Sequence, residues 1–88
     1  MLYTLSQAQH SEEELTAIFS RLTEQDAVIL WQNGVLQAVK NYDFFAKYPQ
    51  VFVLETDLDA RGLSTDLATI SLEQLVDISE RFYPQIAL

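Results

Sequence analysis

No cysteine occurs in the 88 residues. That removes disulfides, thiolate metal ligands and any covalent sulfur or acyl carrier role for a side-chain thiol of this chain. Basic residues are scarce as well, with five Lys and Arg against thirteen Asp and Glu and a formal charge of -8. Gripping a nucleic-acid backbone relies on clustered cations, whereas Arg21, Lys40, Lys47, Arg61 and Arg81 are scattered. Any RNA is therefore expected on another chain. His10 is the only histidine, and no recognisable motif ties a serine, cysteine or acid to it, so it is expected to be an exposed loop residue. No apolar run approaches the roughly 20 residues of a membrane helix. Met1-Leu2-Tyr3-Thr4-Leu5 also lacks the flanks of a signal peptide. The cytoplasm is the expected compartment.

What is present is a core. Hydrophobic residues make up 49% of the chain, and a chain this short is expected to be one domain spanning residues 1–88. A three-layer architecture of this size leaves much apolar surface uncovered, so association with a partner is the default expectation.

The most apolar stretch is Ala27-Val28-Ile29-Leu30-Trp31, followed by Gln32-Asn33-Gly34-Val35. An uninterrupted run of this kind reads as a strand buried on both faces, which belongs to a parallel sheet covered by helices. Asn33-Gly34 then turns the chain. A tight hairpin is disfavoured because Val35, Leu36, Ala38 and Val39 are spaced helically. Leu2–Leu5 is β-prone, and Ser11 with Glu14 has capping-box spacing at the start of a helix carrying Leu15, Ile18, Phe19 and Leu22 on one face. Glu12, Glu13 and Glu14 suit the positive end of that helix better than a metal ion, because consecutive helical residues point in different directions.

Phe44 to Tyr48 is expected to add a turn before Pro49, and Val51–Leu54 is a second buried strand. Glu55 to Asp66 reads as a long polar connection, with one helical turn over Asp57–Arg61 capped by Gly62. Ala68–Ile70 is a short strand. Ser71 and Gln74 open a last helix whose buried stripe is expected to be Leu72, Leu75, Val76, Ser79 and Phe82, with Ile78 beside it. Gln85–Leu88 remains as a tail or a final edge strand. This order predicts a mainly parallel α/β sheet of four to five strands with helices on both faces. Its functional loops should gather at the carboxyl ends of the strands, in Ser6–His10, Gln32–Gly34 and Glu55–Gly62.

None of these loops carries a strong chemical motif. Asp57 and Asp59 invite comparison with acidic Mg²⁺ pockets, yet the other strand ends offer Ser6 and Gln32 instead of further acids and a lysine. A solvated loop, with either aspartate bonded to backbone amides or Arg61, is the favoured reading. Asn33-Gly34 lacks the further glycines of a phosphate or dinucleotide loop. Trp31, Phe44, Phe45, Tyr48 and Phe82 offer more aromatic area than a small core needs. Because interfaces are enriched in aromatics, Phe44, Phe45 and Tyr48 are candidates for one.

Four segments together resemble the TusB/DsrH family. They are Met1–Leu5, Val28–Val35, Val51–Leu63 with its Asp57-Leu58-Asp59-Ala60-Arg61-Gly62, and Ile70-Ser71. The family pattern has an aliphatic strand followed by Gln-Asp/Asn-Gly-Val and a later Asp-Leu-x-Ala-Arg-Gly, the second element being the more specific. The resemblance implies a DsrE-like, flavodoxin-like three-layer fold. It also implies a place beside TusC-type and TusD-type sister subunits, in a dimer of heterotrimers that passes persulfide sulfur towards 2-thiolation of the tRNA wobble uridine. The sulfur-carrying cysteine belongs to the TusD-type sister, so a chain without thiols is compatible with this branch.

Two departures matter. Some DsrH members carry a cysteine in the first helix, where this chain has none, and many members end in tryptophan where this chain ends Ile86-Ala87-Leu88. The expectation is a non-catalytic subunit with no cofactor and no metal, in which Gln32, Asn33, Gly34, Asp57, Arg61 and Gly62 have structural or interface roles. The competing expectation is a stand-alone module binding a small ligand or ion through Ser6, Asn33, Asp57 and Asp59.

Overall fold

Helix signals and strand signals alternate along the chain, and the elements follow them. The computed structural model describes all of residues 1–88. The strands are β1 (Leu2–Leu5), β2 (Ala27–Leu30), β3 (Val51–Leu54), β4 (Thr69–Ile70) and β5 (Gln85–Ala87). The helices are α1 (Glu12–Phe19), α2 (Val35–Lys40), α3 (Tyr42–Phe45), α4 (Glu55–Ala60) and α5 (Leu72–Arg81), and a 3₁₀ turn at Gln32–Gly34 leads into α2. The strands form one sheet in the order β4-β3-β2-β1-β5, and every pairing is parallel. β2 lies at the centre with all four residues buried, which explains why its sequence shows no alternation.

The crossovers decide which face each helix covers. From β1 to β4 the chain steps the same way each time, so right-handed connections put α1 to α4 on one face. The step from β4 to β5 runs back across the whole sheet and puts α5 on the other. Side-chain packing agrees. Leu15 and Phe19 of α1, Val35 and Ala38 of α2, Phe45 of α3 and Leu58 of α4 share a core with Leu5, Val28, Leu30, Val51 and Val53. The opposite core holds only Leu2, Ala27, Ile29, Leu54 and Ile70, lidded by Leu75 and Ile78 of α5 and by Phe82 just beyond it.

Both predicted capping boxes are present, at Ser11/Glu14 and at Ser71/Gln74. Three expectations need correction and one open choice is resolved. The connection after β3 is not a loop with one turn, because α4 begins at Glu55 directly off the strand. The turn expected over Phe44–Tyr48 lies earlier, at Tyr42–Phe45, since Asn41 leaves helical geometry (φ -115°, ψ 34°) and restarts the helix. Of the two readings of Gln85–Leu88 the edge strand holds, fixed to β1 by Leu2 N–H donating to Pro84 O and Leu88 N–H donating to Thr4 O. In α5 the predicted stripe is too wide, as Leu72 and Val76 are 55% and 56% exposed. Alone on its face, α5 has no neighbouring helix to cover its flank.

Candidate functional site: the carboxyl edge of the sheet

β2 and β3 are adjacent in the sheet, so their carboxyl ends bring Gln32–Gly34 and the start of α4 together. The chain leaves β2 through extended Trp31 and then bends sharply, with Gln32 in the left-handed region at φ 52°. For a non-glycine residue that conformation costs free energy and persists only where neighbours hold it. Here the Gln32 backbone N–H donates to Asp57 Oδ2 at 2.6 Å, a charge-assisted bond to the first turn of α4. One turn further along α4, Arg61 donates from Nη1 to Asp57 O at 3.1 Å and from Nη2 to Asn33 Oδ1 at 3.0 Å. Asp57 and Arg61 thus pin both residues that form the bend.

Each glycine has a separate reason to be there. A Cβ on Gly34 would fall on the Leu5 carbonyl oxygen, with the carbonyl carbon 2.8 Å away, because the turn presses against the end of β1. Gly62 has φ +63° and closes α4: its N–H donates to Asp59 O, and Leu63 N–H donates to Leu58 O. These two bonds, with Leu63 packed on the core that holds Leu58, make a Schellman cap.

Gln32, Asn33, Gly34, Asp57, Arg61 and Gly62, though far apart in sequence, therefore meet in one cluster. Asp59 does not join it; it lies exposed further along α4. No three His, Cys, Asp or Glu side chains lie close enough to form a metal-ligand set. The aromatic candidates sit elsewhere, around Phe19. Its ring meets Phe44 edge-on at 5.1 Å, Tyr48 at 4.7 Å and Phe45 at 5.6 Å. Phe45 has no exposed surface and belongs to the core, which corrects its reading as an interface residue; Phe44 and Tyr48 are part-buried.

Sequence reasoning missed a second polar group beside β1. His10 is not exposed but 9% accessible, and Gln37 of α2 is fully buried. Gln37 Nε2 donates to Gln7 O at 2.9 Å and lies 2.8 Å from His10 Nδ1. Since an amide nitrogen can only donate, Nδ1 accepts and the neutral imidazole carries its proton on Nε2. Gln37 Oε1 is buried with no partner. A polar residue at position 37 reads as solvent-facing in sequence, and nothing in the spacing announces a partner in the Ser6–His10 loop.

This architecture recurs in proteins similar along almost their whole length. The family model described as DsrH like protein matches residues 8–85. The chain belongs to the DsrH-like family. Protein TusB of Yersinia pestis is 34% identical over 99% of both chains, and an uncharacterized protein of Haemophilus influenzae is 45% identical over 100% of both. The solution NMR structure of Protein Tm0979 from Thermotoga maritima superposes with a TM-score of 0.66 at 26% identity, covering 91% of this chain and 92% of that one. All six residues of the strand-end cluster fall within the segment matched by the DsrH-like model.

Proposed function

We propose that this DsrH-like chain is a non-catalytic subunit of a TusBCD-type sulfurtransferase complex, acting in the cytoplasmic sulfur relay that 2-thiolates the tRNA wobble uridine. One observation carries the reading: a chain related end to end to Protein TusB contains no cysteine. Without a thiol it cannot hold persulfide sulfur on a side chain, so the carrier must be a sister subunit of TusD type. Its own contribution is surface. The tightly bonded strand ends supply a rigid wall, and the thin cover on the α5 side leaves apolar area for TusC-type and TusD-type partners.

Co-expression with both sister chains tests this. A stable hetero-oligomer is expected by light scattering, and deletion of the gene should lower 2-thiouridine in total tRNA measured by mass spectrometry. Purification of this chain alone, with tRNA thiolation unchanged by the deletion, sinks the proposal.

A further inference from the structure

The start of α1 and the junction of α2 with α3 enclose a groove of about 450 Å³, well apart from the Asp57–Arg61 cluster. Leu15, Val39 and Phe44 give its lining an apolar part beside the polar His10, Glu12, Lys40, Asn41 and Asp43. Val39 and Tyr42, which also lines the groove, rank among the few large hydrophobic residues left exposed, at 46% and 36%. His10 forms part of the wall. Its Nδ1 is bonded to Gln37, so in the neutral ring the remaining nitrogen carries the proton, and no hydrogen bond within the chain engages that Nε2–H.

The cost of this arrangement is visible. Gln37 spends its amide nitrogen on Gln7 and His10 and leaves Oε1 buried without a partner. An apolar residue there would avoid a buried oxygen left without a hydrogen bond, which is destabilising. What the glutamine supplies is a single tautomer of His10, and with it a donor held in place on the groove wall.

We propose that this groove receives an extended segment of a sister subunit. An apolar side chain of that segment sits on Leu15, Val39 and Phe44, and a backbone carbonyl accepts from His10 Nε2–H. Charge narrows the choice of segment. Glu12 and Asp43 line the groove against a single Lys40. The segment therefore carries Lys or Arg beside its apolar anchor. A second copy of this chain is a poor occupant, since it brings the same excess of acids, -8 overall. The inference rests on the assembly reading above and adds to it a further contact surface, on the face opposite α5.

The test uses the co-expressed complex. Val39→Asp puts a charge among the apolar lining residues at an exposed position, and Asp43→Lys reverses a charge of the lining, also at an exposed position. His10→Asn keeps an acceptor for Gln37 while removing the groove donor. The hetero-oligomer is expected to weaken at least 10-fold for Val39→Asp and about 3- to 10-fold for the other two, while thermal midpoints of the isolated variants stay close to wild type. Long-range ¹H–¹⁵N spectra of the isolated chain should show Nδ1 unprotonated. If wild type assembles and all three variants assemble equally well, the groove proposal falls alone. A protonated Nδ1 in the neutral ring, or self-association abolished by Val39→Asp, also overturns it. If wild type does not assemble with the sisters, the assembly reading falls and takes this one with it.

Discussion

Gly34 and Gly62 are the only glycines of the chain, and the structure asks different things of them. Gly34 has ordinary backbone angles (φ -61°, ψ -22°), but no room for a side chain against the backbone of Leu5. Gly62 has open space around it and an unusual φ of +63°. Substitution by alanine separates the two causes. Gly34→Ala must push β1 and the turn apart and is expected to cost at least about 3 kcal/mol, whereas Gly62→Ala bears only the left-handed conformation, about 1–2 kcal/mol. Urea denaturation of both variants measures this, and equal losses would contradict the assignment. The six strand-end residues were singled out in the sequence by the family pattern. It could not show that Asp57 holds the Gln32 amide or that Arg61 reaches Asn33, because those contacts depend on the adjacency of β2 and β3. His10 and Gln37 were wholly illegible, since their pairing spans 27 positions and no periodicity encodes it.

Among the elements, α1 and the β2 approach carry the pH-sensitive contacts. Ser11 donates its backbone N–H to the Glu14 carboxylate, and this bond, with the Ser11 side chain, lowers the Glu14 pKa from its ordinary 4.5. The Asp26 pKa is lowered from 3.8, first by the Thr23 backbone N–H and then by the Met1 ammonium. Both folded-state values lie below the unfolded ones. The stabilisation is therefore complete above the ordinary values of 4.5 and 3.8 and is lost as pH falls through the lowered ones. Denaturation midpoints should fall as pH drops from 6 towards 3, and the fall should be shallower in the Glu14→Gln, Asp26→Asn double variant. An identical profile would remove these groups from the account. Helix starts were readable because caps are local, as at Ser11 and Ser71. The width of the α5 stripe was not, because Leu72 and Val76 are apolar at helical spacing yet meet nothing on a face with one helix. No residue of α5 is fully buried, so its amides are expected to exchange at least about 10-fold faster than those of β2 in native-state hydrogen exchange. Equal protection would show that the α5 side is as firmly held as the other.

For the molecule as a whole, the alternation of strand and helix signals was enough to predict a parallel sheet, and handedness then fixed which helices share a face. Sequence could not show how unequal the two faces are. That follows from strand order: four crossovers advance or return across one sheet, and only the last lands on the α5 side. The result is a flat body, 31 × 31 × 19 Å along its principal axes, with a thick side and a thin one. With a charge of -8, surfaces of this kind favour basic neighbours over copies of themselves.

The place of β5 beside β1 also sets a clock during translation. β1 can pair with β2 once residue 30 has left the ribosome, but its other neighbour is not made until residue 87. At about 5–20 residues per second, the gap is roughly 3 to 11 s. For most of it the Leu2, Ala27 and Ile29 side of the nascent strands has no helix to cover it, because α5 is also among the last elements made. The β5 edge and the α5 face are thus completed together, in the last step of synthesis.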